Sequence, residues 1–291
     1  MASVRELRTK IKSVKSTQQI TKAMKLVAAA RLNKAQERIL MARPFAVKMD
    51  NLLQELAYLA HASEDQSLSQ HPFLATREGK RIDLVLVTAD RGLCGGFNAT
   101  LIRKAVHFMR DHKEDDVRLW AVGRKGRDFF KRFHATLEKE YVNIFHRLGY
   151  QQAEVLGQDL IDNYLSSRSR QVVIIYNEFK SRIQQVLRVR TLFPIEQVPE
   201  VKPVQDFIYE PNREEIVKEL LPRYVKAQIY RILLESQSAE LAARMAAMES
   251  ATNNAKDLIN SLTLTMNKVR QANITRELSE IVSGAEALQT N

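Results

Sequence analysis

The residues that come nearest to chemistry form one short string, Arg91-Gly92-Leu93-Cys94-Gly95-Gly96-Phe97-Asn98, directly after an apolar run that reads as a strand. In a dinucleotide-binding fold, a glycine-rich turn of this kind lets pyrophosphate sit on the N-terminus of the following helix. The glycines here are not spaced G-x-G-x-x-G, and no Lys-Ser or Lys-Thr pair follows, so the string fits a tight strand-to-helix turn capped by Asn98 better than a phosphate cradle. Arg91 stands close enough in sequence to lower the pKa of Cys94, but no histidine lies nearby to activate that thiol as a nucleophile. Asp83 and Asp90 flank the strand with no opposing acid or base. The six histidines are scattered, no His/Cys group has metal-ligand spacing, and a lone cysteine makes no internal disulfide. These residues predict a chain that catalyses nothing alone and carries neither metal nor cofactor.

The elements around this turn follow two different hydrophobic periods. From Val4 a 3,4 spacing runs through Leu7, Ile11, Val14, Gln18, Thr21, Lys25, Ala28, Leu32, Ala35, Ile39, Ala42, Ala46, Met49, Leu53, Leu56 and Ala60. Near the other end the same spacing links Tyr224, Ala227, Arg231, Leu234, Ser238, Leu241, Met245, Met248, Thr252, Ala255, Ile259, Leu262, Met266 and Val269. Each is a coiled-coil seam that needs a partner helix, and the simplest partner for each is the other. Glycine placement agrees, because a glycine inside a helix costs about 1 kcal/mol relative to alanine. All nine glycines except Gly284 lie between Gly79 and Gly157.

A helix from Val4 to Ala60 would be about 85 Å long, and one from Pro222, placed at its first position, to Leu288 about 100 Å. The second helix should therefore overhang the first. Its tail stays apolar at Ile274, Leu278, Ile281, Ala285 and Leu288, a stripe that must bury itself in something else. At Gln18, Thr21 and Lys25 the first seam turns polar, while Ile20, Met24 and Val27 make a neighbouring apolar stripe.

Between the seams the pattern changes to short β-branched runs alternating with helical segments. Strands are expected at Ile82–Thr88, Val117–Val122, Val172–Tyr176 and near Gln185–Leu192, with helices at about Asn98–Asp111, Arg127–Phe133 and Ala153–Ser166. Such alternation argues for an open α/β sheet. The fold expected is thus α+α/β, a long antiparallel coiled coil of N- and C-terminal helices with an inserted open-sheet, Rossmann-like domain. Its parts are a first helix over 1–60, a linker over 61–80, the α/β domain over 81–210 and the second helix over 211–291.

Charge is unevenly placed. The net charge is +11, and residues 1–40 hold ten basic side chains against Glu6 and Glu37 alone, whereas 213–291 hold ten basic and ten acidic residues. A basic rod can track nucleic-acid phosphates, face anionic lipid or approach an acidic protein surface. There is no 18-residue apolar run and no signal-peptide pattern, so a soluble or peripheral protein is expected.

Several strings then gain meaning together. Ile274-Thr275-Arg276-Glu277-Leu278-Ser279-Glu280-Ile281-Val282-Ser283-Gly284-Ala285-Glu286-Ala287 resembles the signature of the F-type ATP synthase gamma subunit, the rotating central stalk. Gln19-Ile20-Thr21-Lys22-Ala23-Met24-Lys25 with Val27-Ala28-Ala29, Asp90 to Gly96, and Ala243-Arg244-Met245 with Ala251-Thr252-Asn253-Asn254-Ala255 agree, so the likeness spans both ends and the middle. The resemblance implies a shaft inside a hexamer of alternating alpha and beta subunits, with its foot on the membrane c-ring and a small epsilon subunit on the α/β domain. It implies contacts with the catalytic subunits at Met24, Lys25, Arg244, Arg270, Gln271, Thr275 and Glu277. It also implies an apolar bearing around Ile274, Leu278, Ile281 and Leu288, and docking on the membrane ring through Phe207, Tyr209 and Glu210. Ala28, Ala29, Ala30, Ala242, Ala243, Ala246 and Ala247 would supply a smooth surface to a turning shaft.

The implied function is torque transmission in a proton-translocating ATP synthase. Its implied location is a peripheral membrane complex on the cytoplasmic face of a bacterial inner membrane, without membrane insertion or nucleic-acid binding. The sequence lacks the inserted cysteine pair of the plastid form, so the resemblance implies no thiol control of that kind, and a bacterial rather than a mitochondrial form is expected. A basic coiled-coil nucleic-acid-binding protein is the alternative, but residues 1–44 contain no Phe, Tyr or Trp to stack on bases. A dehydrogenase built on the α/β domain would need the phosphate loop and the acid or base found wanting above.

Overall fold

The computed structural model describes residues 3–62, 71–133, 136–166, 169–195 and 213–289. Helix α1 (Val4–Ala62) and helix α5 (Arg213–Gln289) hold the two ends of the chain, and a five-stranded sheet lies between them in sequence. The chain divides into two compact units, one of Met1–Ala28 with Met245–Asn291, the other of Ala29–Arg244.

The first unit is a helix pair. Thr21 meets Thr252 and Lys25 meets Glu249, so the two helices run antiparallel in a register the sequence left open. Leu7, Ile11, Thr21, Ala28, Met248 and Ala255 are buried, and Val4, Val14, Gln18, Lys25, Met245, Thr252, Ile259, Leu262, Met266 and Val269 are half-buried. This is the 3,4 seam read from the sequence. Carried along the helices, the register sets Val4 opposite about Arg270. From Arg270 to Ala285 every side chain except Asn273 is exposed.

In the second unit the strands are β1 (Arg81–Val87), β2 (Asp116–Val122), β3 (Leu137–Tyr141), β4 (Ser169–Phe179) and β5 (Gln185–Phe193), in the order β3-β2-β1-β4-β5. All neighbours are parallel except β4 and β5, which form an antiparallel hairpin. Both faces of the sheet are covered, which is why β1 reads as one apolar run rather than an alternation. Ile82, Leu84 and Leu86 face helices α2 (Phe97–Asp111) and α3 (Arg124–Arg132) through Phe97, Leu101, Ala105 and Phe130. Val85 and Val87 face α4 (Tyr150–Ser166) and α5 through Leu156, Leu160, Ile229 and Leu233. Gly157 lets α4 lie close on α5, since a Cβ there would stand 2.9 Å from Lys226 Cγ.

The structure corrects several local expectations. Pro222 is not the first residue of the second helix but lies inside it, after a start at Arg213. An interior proline costs about 3 kcal/mol, and burial of Leu221, Tyr224 and Val225 in the larger core offsets it. Strand β3, absent from the sequence reading, is a charged edge strand, Leu-Glu-Lys-Glu-Tyr, whose three central side chains give no apolar signal. Helix α3 starts at Arg124, three residues before the expected Arg127. Asn98 does not cap α2, whose N-cap is Gly96 with no side-chain bond. Ala28 and Ala242 are buried in helix packing and supply no surface, while Ala30 and Ala246 are exposed.

Candidate functional site

The turn after β1 is built from the residues that first suggested chemistry. Asn98 on α2 accepts the Ala89 amide (2.9 Å) through Oδ1 and donates through Nδ2 to Cys94 Sγ (3.2 Å), so it pins the turn instead of ending the helix. Asp90 Oδ1 accepts the backbone N–H of Arg124 (3.1 Å) and of Asn143 (2.9 Å). Gly123 (φ +91°) lies so near β1 that a Cβ would stand 2.0 Å from the Thr88 carbonyl oxygen. On α5, Arg244 is forked on Glu240 through Nε (2.8 Å) and Nη2, and Nη1 donates to the Gly92 carbonyl (2.9 Å).

The neighbourhood of the glycine turn, where pyrophosphate would lie, holds α5, with Ala239 buried against Cys94 and Phe97 and with the Glu240–Arg244 pair beside them. The expectation that Arg91 lowers the Cys94 pKa is corrected: burial pushes the thiol up, Glu240 adds to that, and the opposing pull comes from Arg244. Glu240 is also pushed up by burial, against the pull of Arg244. Among the described residues no group of three His, Cys, Asp or Glu side chains could hold a metal ion.

The other expected site residues are distributed as follows. Met24 is half-buried beside exposed Ile20 (57%) and Val27 (53%), and Lys25 is ion-paired to Glu249 at 2.6 Å. Arg270, Gln271, Thr275 and Glu277 are exposed on the overhanging tail. Ile274, Leu278 and Ile281 share one face of that tail at helical spacing and are 49%, 57% and 68% exposed, with Val282 beside them at 55%. Phe207, Tyr209, Glu210 and the Leu288 side chain lie outside the described residues. Sequence reasoning missed Glu240; the i,i+4 spacing of Glu240 to Arg244 was the signal available. No helix among the described residues is long and apolar enough to cross a membrane.

The family model for ATP synthase matches residues 3–288. The ATP synthase gamma chain of Anaeromyxobacter sp. (strain Fw109-5) is 46% identical over 99% of this chain and 100% of its own length, and that of Desulforamulus reducens is likewise 46% identical with the same coverage. The chain belongs to the ATP synthase gamma family. In fold it is similar to a chain from the central stalk and c-ring of the Tetrahymena thermophila mitochondrial ATP synthase, with a TM-score of 0.62, 28% identity, and coverage of 80% of this chain and 99% of that one. A chain of the Euglena gracilis mitochondrial enzyme shares the fold at a TM-score of 0.67 and 20% identity, covering 98% of this chain and 94% of that one. A gamma-family chain is a non-catalytic subunit of the ATP synthase complex, and this one is a part of that membrane-associated assembly with the central-stalk role. Nothing in these likenesses supports the nucleic-acid alternative.

Proposed function

We propose that this chain is the torque-bearing shaft of the complex, gripped by the alpha and beta subunits of the catalytic hexamer along its overhanging tail. The observation that carries the reading is the tail itself. A helix that keeps Ile274, Leu278 and Ile281 on one face after its antiparallel partner has ended exposes apolar surface for which its own unit offers no cover. A collar formed by other subunits buries that surface. Arg270, Gln271, Thr275 and Glu277 then stand on the remaining faces, where the catalytic subunits hold the shaft.

Lower on the same helix pair, exposed Ile20, Leu26 and Val27 lie among basic side chains on α1. That mixed surface suits the acidic, mobile loops of catalytic subunits, so nucleotide-driven loop movement and rotation are coupled there through Met24 and Lys25, and in the second unit through Arg244. Phe207, Tyr209 and Glu210 dock the foot on the c-ring. The epsilon subunit packs on the α/β domain of the second unit. The complex works on the cytoplasmic face of a bacterial inner membrane.

The test replaces Arg270 and Gln271 together with Ala in the assembled complex. Coupled ATP synthesis and hydrolysis should fall while the isolated chain stays folded, and normal turnover in the double variant contradicts the assignment.

A further inference from the structure

Helices α2 and α3 pack side by side on one face of the sheet, and the surface they turn to solvent carries charge of one sign. Three basic side chains on α2 and five on α3 stand against Asp111 and Asp128 alone. Helix α4, on the other face, holds Glu154, Asp159 and Asp162 and neither lysine nor arginine. On α3, Arg127 pairs with Asp128 and Lys131 with Glu140, and Arg124 donates to Asn143 Oδ1. Arg103, Lys104, Arg110, Lys125 and Arg132 make no ion pair among the described residues, and all but Lys104 are exposed. At the end of α3 stands Phe133, 68% exposed, its ring centroid 4.8 Å from that of Phe129.

An ordinary solvated surface intersperses both signs, because like charges gathered on one face repel one another. Phe133 gains nothing there either, since an exposed ring keeps its apolar area in water. Unpaired cations around one aromatic ring match a surface that offers many anions above an apolar boundary, as a bilayer with anionic headgroups does. A folded acidic partner would need a pocket shaped to Phe133, whereas lipid is fluid and conforms to it. A nucleic-acid strand stacks its bases on successive aromatics. On this face only Phe133, among the described residues, is an exposed Phe, Tyr or Trp.

We propose that the outer face of α2 and α3 is a peripheral contact for anionic phospholipid, with headgroup phosphates on Arg103, Arg110, Lys125 and Arg132 and the Phe133 ring at the acyl boundary. The difference in sign across the sheet orients the domain, because the surface that attracts α2 and α3 repels α4. No helix among the described residues can cross a membrane, so the contact is reversible and salt-sensitive. The family's assembly is membrane-associated, which keeps such a surface within reach. The contact does not depend on the chain being a shaft, and the isolated full chain suffices to test it.

The full chain is sedimented with vesicles of mixed phosphatidylglycerol and phosphatidylcholine, and with vesicles of phosphatidylcholine alone. It should bind the anionic vesicles, bind the neutral ones far less, and come off as salt rises. Because α1 is also basic, two variants remove equal charge from exposed positions: Arg103→Gln, Arg110→Gln, Lys125→Gln, Arg132→Gln on this face, and Arg5→Gln, Arg8→Gln, Lys12→Gln, Lys15→Gln on α1. The first should bind about a hundredfold more weakly than the parent and the second within about threefold of it. Equal losses would mean that net charge alone decides, and they overturn the proposal. Phe133→Ser, which keeps every charge, should weaken binding about tenfold, and unchanged binding also overturns it. Trp120 is buried, so the fluorescence of a Phe133→Trp chain reports on the new position. Its emission should shift to the blue with anionic vesicles, and a ring that stays wet contradicts the contact. Tighter binding of poly-glutamate than of anionic vesicles through the same four cations would assign the face to an acidic protein and overturn the lipid contact.

Discussion

Thr21 and Thr252 join their hydroxyls at 2.8 Å across the helix pair, one turn from the Lys25–Glu249 ion pair. Each hydroxyl also lies against a carbonyl of its own helix, Gln18 and Met248 respectively. The two hydroxyls have one proton each for three contacts, so one of those contacts is always weak. Thr21→Val or Thr252→Val alone should destabilise the chain by about 1 kcal/mol, since the partner hydroxyl keeps its carbonyl but loses the cross-helix bond. The double substitution should cost less than the two single ones together, as replacing both partners by isosteric apolar groups is nearly neutral. Urea unfolding of the three variants checks this.

Gly123 and Gly157 should respond unequally to the same change. A Cβ at Gly123 would collide with the Thr88 backbone oxygen at 2.0 Å on top of a φ of +91°. Gly123→Ala is expected to cost at least about 3 kcal/mol and to abolish soluble folded protein or lower its Tm sharply. At Gly157 a Cβ would stand 2.9 Å from Lys226 Cγ and 3.4 Å from its Cα, so α4 and α5 must move apart slightly, although alanine favours the helix by about 1 kcal/mol. Gly157→Ala should destabilise by about 1 to 2 kcal/mol in thermal unfolding, less than Gly123→Ala.

Acid should weaken the β4–β5 hairpin through Glu178. Burial pushes this carboxyl upward, but hydrogen bonds from Lys180 and Arg188 outweigh it and leave the group below its ordinary value of 4.5. A depressed folded pKa means that the contribution is complete above the ordinary value and is lost as pH falls through the lower folded one. The urea midpoint of the parent should therefore exceed that of Glu178→Gln near neutral pH, and the gap should close as pH drops below about 4.5. A gap that widens with acid would contradict the assignment of cause.

The tail stripe separates folding from assembly. Ile274, Leu278 and Ile281 are about half exposed or more, so replacing all three with Gln should leave unfolding of the isolated chain within about 0.5 kcal/mol. In the complex, covering the exposed half of each side chain contributes about 1 kcal/mol, so affinity for the hexamer should fall about a hundredfold. Titration of labelled chain against the catalytic subunits measures it.

The ease with which sequence foretold each part follows from where its determinants lie. The seam was legible because Leu7, Ile11, Leu241 and Met248 repeat at a spacing fixed by helix geometry alone, and β1 because both faces are covered and the run is continuous. Strand β3 was not, since an edge strand guarded by Glu138, Lys139 and Glu140 has the composition of a loop. Pro222 was misplaced because a local rule for helix starts was applied where tertiary burial of the preceding turn decides. The Glu240–Arg244 latch depends on α5 reaching the Gly92 carbonyl, 152 positions away in sequence. No local pattern encodes such a meeting.

Rotation is the most direct test of the account. With the catalytic subunits fixed to a surface and a bead attached to this chain, ATP should drive sustained turning in one direction, and the Arg270→Ala, Gln271→Ala variant should slow or stall it. A bead that stays still while ATP is hydrolysed at the normal rate would contradict the shaft.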